Sequence, residues 1–174
     1  NSIVNDAISK NVNILAYICG HTHFDDVYTL KGSLYPVIMI NCDIPFNNKE
    51  SIDVLGDYNV YDRTVSTIKE YCVDFVIPST KKGIIRLCRF GAGYDRVIYT
   101  RPYIIKKGET LDLSGIVGTS NDYKSLDGNV ATIDSGIVTA INSGQTQVIF
   151  YNTSKNVKYF IEIIVNNSTL SRWV

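Results

Sequence analysis

The sequence predicts an α/β unit over about the first hundred residues, followed by an all-β unit. Three observations lead there. A short helical pattern feeds an apolar run near the N-terminus, and a hairpin punctuated by Pro and Gly closes the first half. From Arg101 onward, short strand-like runs alternate with Gly, Asn, Asp and Ser turns, and no helical period is present. The chain has 174 residues, 45% hydrophobic and 20% charged, a globular composition and not a disordered one. Its 17 basic and 17 acidic residues cancel, so no overall field recommends nucleic acid or an anionic membrane as partner. No apolar run approaches the roughly 20 residues of a membrane span.

Taken in order, residues 2–10 place Ile3, Val4, Ala7 and Ile8 on one helical face, with Asn1 or Ser2 as cap. The opening Asn-Ser-Ile-Val-Asn-Asp has neither a start Met nor a signal-peptide pattern, and reads as a cut inside a larger protein. Residues 13–19 read as a buried strand, and 27–30 and 35–41 as two more, joined across Lys31-Gly32-Ser33. The polar stretch 43–62 reads as a long surface loop. Residues 64–77 alternate apolar and polar over much of their length, 78–83 turn, and 84–90 return, which makes a hairpin. Gly91-Ala92-Gly93 closes the unit, with 94–100 as its last strand or a linker. The second unit, 101–166, reads as strands at 103–106, 110–115, 131–134, 138–142, 145–151 and 158–165, and 167–174 as a tail.

Cys19, Cys42, Cys72 and Cys88 fall in apolar runs with no Cys-x-x-Cys, which favours buried free thiols over metal ligation. A Cys72–Cys88 bridge between neighbouring strands stays open as the alternative. The chemistry concentrates at Gly20-His21-Thr22-His23, where a strand ends and the only two histidines follow at once. Strand C-terminal ends carry chemistry in α/β folds, and neutral imidazole is the commonest metal-ligating side chain. Two imidazoles two residues apart on an extended loop point the same way and reach metals about 3.5 Å apart. The plainer alternative is a loop histidine that caps a turn or satisfies a buried carbonyl. Asp25 and Asp26 read either as further ligands or as a solvated acidic turn. Asn41 and Asp43, at a strand end, read as site residues or as turn caps. Lys81, Lys82, Arg86 and Arg89 read as solvated hairpin charges.

The strand–Gly20-His21-Thr22-His23 run, with its preceding helix, the strands that follow and the late hairpin, resembles the C-terminal third of the calcineurin-like metallophosphoesterases. The resemblance covers about residues 1–98. It implies part of an αββα sandwich, two divalent metal ions such as Mn, Fe or Zn, and a phosphomonoester or phosphodiester substrate. Carried over by position, His21 ligates the second metal and His23 the first, with Gly20, Asp25, Asn41 and Asp43 around them. The family's other ligand motifs are not in this sequence. The resemblance therefore implies a phosphoesterase whose remaining ligands lie in a missing N-terminal part, and a fragment inactive alone.

Residues 106–149 contain Lys107-Gly108-Glu109-Thr110, Tyr123 seven residues before Val130-Ala131-Thr132-Ile133-Asp134, then Gly136-Ile137-Val138-Thr139-Ala140 and Gly144. This run resembles the bacterial immunoglobulin-like domain, group 2, with Tyr123 where that family has Trp. It implies a small immunoglobulin-like β-sandwich over 101–166 with no catalytic constellation. Such modules act as spacers or adhesion domains on bacterial surfaces and phage virions, with a cell-surface glycan or a virion protein as partner. The resemblance implies an extracellular, cell-surface or virion location. Two functions follow as expectations. One is a metal-dependent hydrolase fragment with a surface module; the other is a non-enzymatic surface or virion protein using both parts as scaffold.

Overall fold

The two longest strands lie in the C-terminal half, and the fold builds outward from them. β12 (Gly144–Asn152) contains Val148-Ile149-Phe150, and β13 (Val157–Asn166) contains Phe160-Ile161 and Ile163-Ile164-Val165. A strand with alternating apolar residues needs one cover; a strand with consecutive ones needs two. The computed structural model describes residues 6, 7, 9–20, 25–40, 64, 66–118 and 122–167, and in it this antiparallel pair is covered on both faces.

The pair lies inside a seven-stranded sheet with β4 (Cys72–Ser79), β5 (Ile84–Gly91), β6 (Asp95–Tyr99), β7 (Tyr103–Lys106) and β9 (Asp122–Ser125). The order is β4-β5-β6-β13-β12-β9. β6 and β7 both run parallel to β13, β6 along Val157–Phe160 and β7 along Ile163–Asn166. Pro102 sits in the break between them and has no N–H to give to a ladder. The central sheet thus takes strands from both sides of residue 100.

One face is covered by β8 (Thr110–Asp112), β10 (Ala131–Asp134) and β11 (Ile137–Ala140), ordered β10-β11-β8. Leu113, Ala131, Val138 and Ala140 meet Val148, Phe150, Ile161 and Ile163 there. Ala131 and Ala140 are registered partners and both are buried, so the sheets approach closely at that point. Tyr123 packs partly against this core and donates its hydroxyl to Asp134 Oδ1 at 3.0 Å. The other face is covered by β1 (Tyr17–Cys19), β2 (Asp26–Tyr28) and β3 (Val37–Met39). β1 pairs parallel with β3, and β2 antiparallel. Val27 and Ile38 meet Ile85, Leu87, Ile98, Ile149 and Phe160.

The expected α/β-then-all-β layout, with its αββα sandwich and appended immunoglobulin-like sandwich, is therefore corrected. The protein is mostly β, in three open sheets of mixed or antiparallel strands. Its described helical residues are Asp6, Ala7 and Ser9 and the four-residue α1 (Ser114–Val117), which follows residue 100. The physical reason is periodicity. In β5 the buried Ile85 and Leu87 recur at every second position, the period of a strand and not of a helix, and the described cover over them is β1, β2 and β3.

Several boundaries move too. β1 starts at Tyr17, four residues later than expected. The strand expected at 64–77 divides into β4 and a preceding 3-10 turn at Ile68–Glu70, where the Thr67 hydroxyl accepts from Lys69 N at 3.2 Å. β8 stops at Asp112 because α1 follows, and β9 was not expected as a strand. The loop expected at 43–62 lies outside the described residues. Cys19, Cys72 and Cys88 are free thiols; Cys72 stands opposite Gly91 and Cys88 opposite Phe75, so the two are out of register. Cys42 lies outside the described residues.

Two glycines are needed where they stand. Ser135 and Gly136, both at positive φ, form the tight turn between β10 and β11. Gly91 has φ 103°, and a Cβ there would lie 1.9 Å from the Tyr71 carbonyl oxygen. Backbone cannot yield as a side chain can, so Gly91→Ala is expected to cost more than about 3 kcal/mol. Urea unfolding measures this; a loss under about 1 kcal/mol, the cost of the positive φ alone, would refute the close approach.

Candidate functional site

The connection that carries the two histidines leaves the sheet where β1 and β3 run side by side. Parallel pairing puts Cys19 next to Met39, and Ile40 N donates to the Cys19 carbonyl at 2.9 Å. Gly20 and residue 41 therefore follow the C-terminal ends of adjacent strands. His21, His23, Asn41 and Asp43 lie outside the described residues. Among the described residues, a Cβ at Gly20 would meet the Ile40 carbonyl oxygen at an ordinary 3.7 Å.

The chain returns at Asp25, and here the sequence reading is corrected. Asp25 is not a solvated turn residue. Its carboxylate is 2% exposed and held by two guanidiniums, Arg89 Nη2 at 2.6 Å and Arg96 Nη1 at 3.1 Å. Asp74 completes the group. Arg89 donates to it through Nε at 3.0 Å and Nη2 at 2.9 Å, and Arg96 through Nη2 at 2.5 Å. All four side chains are 2% exposed or less. Arg89, expected as a solvated hairpin charge, is thus among the most deeply buried groups, whereas Arg86 stays half exposed and pairs with Asp95. Asp26 is buried beside Asp25, and its Oδ1 accepts from Val27 N at 2.8 Å.

Strand geometry explains how these charges meet. Asp74 and Arg89 are registered partners on β4 and β5, where opposite charges face each other across the ladder. Arg89 has the parity of the buried Ile85 and Leu87, and Arg96 the parity of the buried Ile98. Both guanidiniums therefore point to the face covered by β1, β2 and β3. Alternation along β5 and β6 was the available signal; reading arginine as exposed by default hid it. The tetrad also binds backbone: Arg96 Nη1 donates to the Met39 carbonyl at 3.1 Å, and Arg89 Nη1 to that of Ala92 at 2.9 Å.

Two carboxylates and two guanidiniums leave no net charge, which is what permits their burial. The planar arginine forks satisfy several acceptors at once, a geometry that lysine lacks. The group is an anchor, its two carboxylates held by the two guanidiniums. It fixes the return of the histidine connection at Asp25 and the end of β3 at Met39 together. No family model matches the chain, and comparison with curated proteins finds no match. No helix among the described residues is long and apolar enough to cross a membrane.

Replacing Asp74 by Asn leaves two guanidiniums facing one carboxylate. The expected loss is about 3–5 kcal/mol in urea unfolding. Lys10→Ala, which breaks the exposed Lys10–Asp6 pair, is expected to stay within about 0.5 kcal/mol. Equal effects in the two variants would refute the assignment of a buried, coupled anchor.

Proposed function

We propose that this chain supplies the two-histidine arm of a metal-dependent phosphoester hydrolase, His21 and His23 being metal ligands and the remaining ligands coming from a further portion of the protein. The strands after residue 100, which share the central sheet with β4, β5 and β6, add a surface role, with a cell-surface glycan or virion protein as partner. One observation carries the reading. The four-residue connection 21–24 is anchored at both ends, by the β1–β3 ladder before Gly20 and by two arginines at Asp25. A short connection between fixed points limits where two imidazoles can go, and such preorganisation is what metal sites require of their support.

The donor chemistry agrees. Imidazole nitrogens suit divalent transition ions, and the nearest described carboxylate, Asp25, is committed to arginine. Two protein ligands are fewer than the three that catalytic metal sites keep, so the chain alone lacks a competent centre. With its metals bound, such a centre activates a water and offsets charge on the phosphoryl oxygens.

The edge strand β4 supports a further portion of protein. Val73, Phe75 and Ile77 are 41%, 61% and 52% exposed on one face, with Phe90 beside them, and the outer edge of β4 pairs with no described strand. Native proteins seldom leave a long apolar edge uncovered.

The test uses the two histidines as their own probes. Excess Mn²⁺ is expected to broaden both imidazole proton resonances, while p-nitrophenyl phosphate and bis-p-nitrophenyl phosphate stay unhydrolysed. Unbroadened imidazole signals would sink the metal assignment. Turnover that depends on His23 would sink the claim that the remaining ligands lie elsewhere.

A further inference from the structure

Three buried oxygens have no hydrogen-bond partner: Glu162 Oε2 and Gln147 Oε1 on adjacent strands of the central sheet, and Thr100 Oγ1 just past the end of β6. Gln147 and Glu162 are registered neighbours on β12 and β13. Thr100 stands two residues past Ile98, whose partner Phe160 stands two residues before Glu162. Alternation puts Gln147 and Glu162 on one face, and Thr100 follows β6 directly, its N–H donating to the Gly83 carbonyl at 2.9 Å. Ile98, Ile149 and Phe160 belong to the core under β2 and β3, whereas the intervening Tyr99, Val148 and Ile161 belong to the opposite core. The three residues are 5%, 7% and 5% exposed in the order Thr100, Glu162, Gln147. Each unpartnered polar atom at this depth carries a cost, and the three share one remedy.

The groups around Glu162 are neutral. Thr29 faces it from the end of β2, and Gln145 and Gln147 from β12. Gln145 is itself tied to the β2–β3 turn, accepting from Gly32 N at 3.1 Å. Burial raises the Glu162 pKa above the ordinary glutamate value, and hydrogen bonds from these three side chains oppose the shift without a cation to assist them. A water molecule would satisfy the three oxygens and leave the charge. A proton would remove the charge and join at most two of the oxygens. A small cation answers both needs.

The geometry points to a monovalent cation site, of the size of sodium or potassium, formed by Thr100, Gln147 and Glu162 between the central sheet and the β1-β3-β2 sheet. The donor set is all hard oxygen, which selects against transition metals. A single carboxylate among neutral oxygens matches one positive charge, not two. The ion would join β6, β12 and β13 beneath the sheet that leads to the histidine connection, so its binding would favour the docked arrangement of the two layers.

The experiment compares thermal unfolding of the full chain at pH 8 in sodium, potassium and choline chloride at matched ionic strength. Sodium or potassium is expected to raise Tm by about 2–4 °C over choline, which is too large to enter. Glu162→Gln is expected to abolish that difference, and Thr100→Val, which keeps shape and charge, to reduce it. If Glu162→Gln does not fold, Thr100→Val decides alone. In choline the sign of the pH effect follows from the raised pKa. The stability that wild type holds near pH 4.5 is lost, relative to Glu162→Gln, as pH rises through the folded-state value. Sodium is expected to remove that loss. Equal Tm in all three salts overturns the proposal in favour of a proton or a water, and a salt difference that survives in Glu162→Gln overturns it as a non-specific ion effect.

Discussion

The buried tetrad of Asp25, Asp74, Arg89 and Arg96 is the constraint on which the first half of the chain depends. Charges at this depth persist only with their partners in place, so the tetrad ties five segments to one geometry. Asp74 and Arg89 lock β4 to β5, Arg96 brings in β6 and the end of β3, and Asp25 brings in the start of β2. The three-stranded sheet is short, with three residues in each strand, and its ladders alone give little hold. Its position on the central sheet comes from Val27 and Ile38 in the core and from the arginines at its rim.

The central sheet solves a different problem. β12 and β13 are apolar on both faces and cannot sit at a surface, so each face takes a cover. The cover nearer in sequence, β8-β11-β10, gives a core with no carboxylate or guanidinium among its members. The cover from the distant N-terminal part gives a core edged by the arginine tetrad and by Glu162. The candidate chemistry of the molecule thus gathers at one interface, between layers brought together from far apart in the chain.

Much of the strand pattern was legible. Alternation and turn residues placed β5, β11, β12 and β13 within a few residues. The site was legible only in part. Gly20-His21-Thr22-His23 stands out by residue type, but its anchor does not. Asp25 looks like any acidic turn, and Arg89 and Arg96 look like surface charges. Their partners lie 64 positions away for Arg89–Asp25 and 22 for Arg96–Asp74, separations that no local pattern reports.

By itself the sequence determined where strands run and which face of each is apolar, because those follow from period and turn chemistry within a few residues. It also determined that two imidazoles leave one strand end together. The tertiary structure alone decided that the described layers over the central sheet are sheets and not helices, since that depends on which face finds which cover. It decided as well that Asp25 belongs to two arginines, and that Gln147 and Glu162 face each other across β12 and β13. Register between distant strands set those meetings, and register comes from packing the whole molecule at once.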